Sequence, residues 1–447
     1  MMNTVFLSQL ASARSETEFD RTAAGFAAFQ VYDSVRTHGF GPSVHSDALR
    51  RVAADVARLS TDSRIRDGLE ALLDALPFWE SGGAVRIGRR ATYTALLMYG
   101  QALGDEGEWK LAESIYGRIG MDTELDGETW LAAEARLLMG RASRMCAHWE
   151  QSATAYKRAY ELALEVGDMS IRLRAQIGEA NNLWIRGDFP AAKRRLQTVA
   201  RRARESFPSI LPRVTLAQAG IANASGEYER AIRLAFGLLS TLPDTDELKY
   251  ACLVDLASFL SDYGLPQIAS SALHMVEASA PEPSVRRHAS LNLLFLAAQH
   301  GTERAFSDRR KALSTEPLAP RQQTQYALFT AQGLRRFGHY DAATISAERA
   351  VQLANRFELF QLVFESEAEL REIESAREAS VTADSTLEPS ETESQSVAGK
   401  RKARASAAIY RLTTGEKLPP RMLRLAQSLE SMARQYETAE FVTSGEM

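Results

Sequence analysis

The chain has two cysteines, Cys146 and Cys252, in 447 residues. That scarcity excludes a disulfide framework and a cysteine-built metal cluster, and it leaves two small, reduced core residues as the expectation. Long apolar runs are missing too. The longest, around Leu291 to Ala298, is broken by Asn292 and falls far short of the roughly 18–20 residues a membrane span needs. Val5-Phe6-Leu7 has no basic segment before it, so it does not read as a secretory signal, and cytoplasmic residence without membrane contact is expected. Neither charge sign prevails. Lys and Arg number 53 against 57 Asp and Glu, a net charge of -4, so there is no global pull toward nucleic acid or an anionic membrane. Aromatics are only 8% of the residues. Ala, Leu, Arg and Glu dominate instead, and these are good helix formers.

Catalytic motifs are absent as well. There is no His-Glu-x-x-His, no Gly-x-Ser-x-Gly and no Gly-rich phosphate loop ending in Lys-Ser/Thr. His288 and His300 share a region without Cys or carboxylate neighbours at ligand spacing. Gly39-Phe40-Gly41 and Ser81-Gly82-Gly83 are short enough to be loops only. The expectation is a protein that is not an enzyme and holds no cofactor and no metal.

What the chain does have is a recurring unit. Gly107-Glu108-Trp109-Lys110-Leu111-Ala112 returns as Gly187-Asp188-Phe189-Pro190-Ala191-Ala192, as Gly226-Glu227-Tyr228-Glu229-Arg230-Ala231 and as Gly338-His339-Tyr340-Asp341-Ala342-Ala343. Gly suits a left-handed helix end. The aromatic can wedge between the turn and a neighbour, and the small residue lets two helices close on each other. The small residues Ala112, Ser152, Ala192, Ala231, Ala269, Ala305 and Ala343 follow at steps of 36 to 40 residues, the spacing of a helix-pair repeat. Tyr116, Tyr156 and Leu196 lie one turn further along the same face. The prolines agree: Pro190 and Pro266 fall in first helical turns, and Pro208, Pro243, Pro281 and Pro317 fall between repeats. Two units depart from the pattern. Ala147 stands where the others have Gly, and Gly301 precedes Ala305 one place out of register.

From roughly Thr92 to Glu374 this pattern resembles the tetratricopeptide repeat family. It is similar to the longer-repeat branch found in MalT-type activators and peptide-sensing bacterial regulators. The resemblance implies an all-α, right-handed superhelical solenoid of six to seven antiparallel helix pairs, with the first helix of each pair lining a concave groove. It also implies a protein or peptide partner. Projecting the period places Arg141, Arg144, Arg174, Asn181, Arg213, Asn223, Gln332 and Arg335 on the groove side. Arg pairs bidentately with carboxylates, and Asn both donates to and accepts from an extended main chain. Asp255, Ser258 and Asp262 share that face, so the groove is not uniformly basic.

The flanks read differently. Residues 1–91 are helical but poor in repeats, a cap or degenerate units; Phe19, Ala23, Phe26, Ala27 and Val31 mark one apolar face there. Residues 377–399 lack aromatics and carry Glu378, Asp384, Glu388, Glu391 and Glu393, which predicts a disordered acidic linker able to occupy an arginine-lined groove. Residues 400–447 hold the basic cluster Lys400 to Arg404 and an apolar helical stripe through Leu425, Leu429 and Met432. Lys193, Arg194, Arg195, Arg201, Arg202 and Arg204 flank one amphipathic helix; without interleaved aromatics they predict a solvated outer face rather than a nucleic-acid site. The functional expectation is a protein- or peptide-binding scaffold. The alternative is a peptide-sensing regulator that acts through a separate DNA-binding partner.

Overall fold

The computed structural model describes residues 2–385, except position 14, residues 60–63 and 80–84, and positions 244, 245 and 247. The predicted basic cluster and helix of 400–447 lie outside the described residues, as does most of the predicted acidic linker. Among the described residues there are helices and no strands. None of these helices is long and apolar enough to cross a membrane.

Four helices come first: α1 (Met2–Ser12), α2 (Glu16–His38), α3 (Pro42–Ala57) and α4 (Arg64–Ala75). Seven antiparallel pairs follow among the described residues: α5 (Val85–Glu106) with α6 (Trp109–Leu125), α7 (Thr129–Met145) with α8 (Trp149–Glu165), α9 (Met169–Ile185) with α10 (Phe189–Ser206), α11 (Leu211–Ala224) with α12 (Tyr228–Leu239), α13 (Leu248–Asp262) with α14 (Pro266–Ser279), α15 (Pro283–His300) with α16 (Glu303–Leu313), and α17 (Pro320–Arg336) with α18 (Tyr340–Arg356). The last helix, α19 (Phe360–Ser385), packs on α17 and α18. It carries the helix into the stretch that the sequence assigns to the linker. The whole is an all-α solenoid of helix pairs.

The recurring unit builds each hairpin turn. Gly187 has φ +94°, and Asp188 N–H closes a six-to-one bond onto the Leu183 carbonyl at 2.8 Å, which satisfies a helix-end acceptor. Asp188 then caps α10, its carboxylate accepting from Ala191 N–H at 3.1 Å. The same six-to-one bond recurs from Glu108 to Leu103, from His148 to Ser143, from Glu227 to Ala222, from Leu265 to Leu260 and from His339 to Leu334. Ala112, Ser152, Ala192, Ala231, Ala269 and Ala343 are fully buried at the hairpin contacts. Ser152 keeps this place by donating its hydroxyl to the Gly140 carbonyl at 2.7 Å and accepting from Asn182 Nδ2 at 2.9 Å. Ala305 is exposed, and Phe306 takes its place, 2% exposed. A methyl at Gly333 would lie 2.3 Å from the Phe306 ring, so the missing side chain on α17 is what admits the aromatic. Trp109 and Trp149 wedge as expected, whereas Tyr228 is exposed.

The N-terminal helices are cemented to the first repeats. The buried face of α2 is Ala24, Ala28, Phe29, Val31, Tyr32 and Val35; Val31 is buried as predicted and Phe26 and Ala27 pack against the core, but Phe19 is exposed, so the face is turned only in part from the predicted one. Polar chemistry explains the turn. Tyr32 O–H donates to Asp122 on α6 at 2.5 Å, Arg36 Nε pairs with Asp122 at 2.9 Å, and Tyr93 O–H donates to Asp126 at 2.7 Å. A helix that must bring Tyr32 and Arg36 to α6 cannot also bury Phe19.

Successive turns of the superhelix touch. Arg287 on α15 donates to the Asp105 carbonyl at the end of α5 at 2.6 Å, and Arg64 reaches both Asp105 and Glu282, at 3.1 and 3.5 Å. Further along, Trp149 Nε1–H donates to the Phe357 carbonyl at 2.9 Å, and Arg186 pairs with Glu358 at 3.1 Å. Trp149, Leu328, Leu353, Leu359 and Leu362 share an apolar cluster at this seam. The concave groove is therefore a lumen closed along its side.

Candidate functional site

The first helix of each pair turns one stripe inward, and the eight projected residues divide into two groups. The first group ties neighbouring repeats together. Arg174 forms a bidentate pair with Glu134, both bonds 2.9 Å, and Arg335 pairs with the buried Glu369 at 2.5 and 3.2 Å. Asn223 Nδ2 donates to Asp262 at 2.7 Å, and Gln332 Oε1 accepts from Gln299 at 3.2 Å. These bonds run from one repeat to the next, so these side chains are engaged in holding neighbouring repeats together.

The second group faces the lumen. Arg141 and Arg213, from α7 and α11, line one cavity of about 250 Å³ together with Trp109, Tyr116, Leu248 and Val285. Arg141 stacks over the Trp109 ring at 5.5 Å, which orients its guanidinium. One helical turn beyond this cavity the same stripes carry Arg144 on α7, Asp255 on α13 and His288 on α15. Asn181 is partly exposed on α9.

Arg321, on α17, sits at the centre of this second layer and was missed by the sequence reading. The stripe through Gln332 and Arg335, followed back three helical turns, leads to it. Its guanidinium stacks over Trp184 at 5.7 Å. Burial lowers its pKa, Arg144 lowers it further, and Glu365 and Asp255 oppose that. Burial raises the Asp255 pKa to about 7, against the pull of Arg321. Burial also raises that of Glu365, while the Gln361 hydrogen bond and Arg321 oppose the shift. His288 is pushed down to about 4, first by burial and then by Arg321, so at neutral pH it is an uncharged donor and acceptor.

Arg321 thus faces Asp255 and Glu365, with Arg144 beside it, and none of the four closes an ion pair with another. The amides on the stripe show the same openness. Asn223 Oδ1, Asn292 Nδ2 and Arg144 Nε are buried with no hydrogen-bond partner. Asn292 is the residue that interrupts the apolar run of α15, and a polar break in such a run is what a lumen-facing position looks like in sequence. The outer face is quieter: on α10, Arg195 pairs with Glu179 at 3.0 Å and Lys193 with Glu227 at 3.3 Å.

No family model and no curated protein sequence matches the chain. Solved structures do. A Rap protein complexed with competence and sporulation factor is 12% identical; the match covers 75% of this chain and 99% of that one, with a TM-score of 0.51. The Rap conjugation gene regulator of the plasmid pLS20, in complex with the Phr* peptide, matches at 12% identity over 80% and 97% of the two chains, with a TM-score of 0.43. The apo form of RapI matches at 11% identity over 78% and 99%, with a TM-score of 0.41. The likeness is one of fold: this chain shares an all-helical repeat fold with the Rap protein complexed with competence and sporulation factor.

Proposed function

We propose that the chain is a non-enzymatic, cytoplasmic scaffold that binds a protein segment or short peptide in its lumen. The observation that carries this reading is the open constellation of Arg144, Arg321, Asp255 and Glu365. Half-buried charges held apart from their counter-charges, as these four are, are costly unless something completes them. An extended peptide has what is missing. Its carboxylates suit Arg144 and Arg321, a basic side chain or amino terminus suits Asp255 and Glu365, and its main chain suits the unpaired atoms of Asn223 and Asn292. Arg141 and Arg213 extend the basic wall toward the cavity mouth. The Rap protein of the same fold was solved with a bound factor, which supports the same use here. The 250 Å³ cavity is below the usual ligand-pocket range of about 300–1,000 Å³. Seating several residues therefore requires the contacts of Arg64 and Arg287 between superhelical turns to loosen.

The test is affinity selection from a synthetic pool of random heptapeptides with free termini, read by mass spectrometry. Wild-type protein enriches a subset carrying acidic groups, and the Arg144→Ala/Arg321→Ala double variant loses it. No enrichment by the wild type, or equal enrichment by a folded double variant, would overturn the proposal.

A further inference from the structure

The turn between α7 and α8 has Ala147, held at φ +59°, where five other hairpin turns have a left-handed glycine: Gly107, Gly187, Gly226, Gly264 and Gly338. That conformation is uncommon for a residue with a β-carbon. On either side of Ala147 stand Cys146, which ends α7, and His148, which precedes α8. Glu113, from α6, reaches the same point: His148 Nδ1 lies 2.9 and 3.0 Å from its two carboxylate oxygens. One ligand atom each from Glu113, Cys146 and His148 falls within 4.8 Å of the others. Cys146 and His148 also line a groove of about 1,050 Å³, so a fourth position at this point is open to solvent or to a second ligand.

We propose that Glu113, Cys146 and His148 form a binding site for a divalent transition-metal ion, with zinc the natural occupant. The donor set is one thiolate, one imidazole and one carboxylate, the mixture that zinc accepts in sites with three protein ligands and one open position. The geometry needs little change. Bonds of about 2.0–2.3 Å at tetrahedral angles put ligand atoms about 3.3–3.8 Å apart. The His148–Glu113 edge opens slightly from 2.9 Å, and the edges to Cys146, no longer than 4.8 Å, close by at most about 1–1.5 Å. The left-handed Ala147 sets the side chains that flank it onto one point, which gives a physical use to a strained residue where glycine would be easier. Lys110 is close enough to weaken a cation here, and the groove lets its amine turn to water. A bound ion ties the second helix of one repeat to the hairpin turn of the next.

The probes are zinc and cobalt(II), added to reduced full-length protein previously freed of metal with a chelator. The expected result is about one zinc retained per chain after desalting, and a thiolate-to-cobalt charge-transfer band with the cobalt form. Cys146→Ser abolishes the band, and His148→Ala weakens zinc binding at least about tenfold. Cys252→Ser changes neither, since Cys252 is buried in a separate apolar cluster. Because Cys146 is itself buried, a Cys146→Ser protein that fails to fold hands the decision to His148→Ala, whose side chain is 42% exposed. A wild type with no retained zinc and no band, or a folded His148→Ala protein that binds zinc as the wild type does, overturns the proposal.

Discussion

Removing the carboxyl of Asp255 should make the protein more stable at high pH and should flatten part of its stability curve. In the folded chain Asp255 releases its proton near 7, because burial disfavours the charged form more than Arg321 favours it. In the unfolded chain it releases it near 3.9. Between those values the folded state holds a proton that the unfolded state has lost. Stability therefore falls as pH rises, and the loss is complete once pH passes the folded value. Integrating the linkage relation gives a loss of about 2.5 kcal/mol between pH 5 and pH 8, and up to about 4 kcal/mol in total at pH 8. The Asp255→Asn variant keeps the shape and a hydrogen-bonding group but has nothing to ionise. Urea unfolding followed by circular dichroism at pH 5, 6, 7 and 8 measures the effect. Every other titrating group is shared, so the difference between the two curves isolates Asp255. The expected difference widens in favour of the variant as pH rises. Parallel curves from pH 5 to 8 would refute the assignment of Asp255 as an enclosed carboxyl facing Arg321. The same logic predicts that a peptide carrying a basic residue binds more tightly above pH 7, where Asp255 is charged.

Two further substitutions test the architecture. Gly178→Ala places a methyl 2.3 Å from the Tyr156 ring, which already abuts Gly140; a loss of about 1–3 kcal/mol is expected in urea titration, and a smaller loss in a Tyr156→Leu background. Trp149→Phe keeps the wedge but leaves the Phe357 carbonyl without its donor across the superhelical seam, which should cost about 1–3 kcal/mol and raise hydrogen exchange in α18 and α19.

Much of the solenoid could be read directly because its signals are local. Gly187, Asp188 and Ala192 each act within a few residues of chain, through backbone handedness, an N-cap and a close helix contact. The one unit out of register at Gly301 was visible as a displaced glycine, although its consequence was not. That Phe306 rather than Ala305 would be buried depended on the empty place at Gly333. The rotation of α2 was equally hidden, because the pull on Tyr32 and Arg36 comes from Asp122, far along the chain.

The candidate site was legible in direction and not in membership. The helical period places Arg141, Arg144, Arg174, Asn181, Arg213, Asn223, Gln332 and Arg335 on inward stripes. It says nothing about which find partners, since Glu134 and Glu369 belong to neighbouring repeats. Arg321 lay on the same stripe further back. Cys146 and His148 were adjacent in sequence, but the carboxylate that makes them a ligand set comes from α6.

By itself, the sequence determined the all-α repeat, its turns and the inner face, because helix period, glycine handedness and small-residue contacts act over one or two turns of chain. Tertiary structure alone decided how far the superhelix closes, which arginines are consumed in ties between repeats, and which charges are left facing one another in the lumen. Those outcomes depend on distances between residues far apart in the chain, and a three- or four-residue period does not encode them.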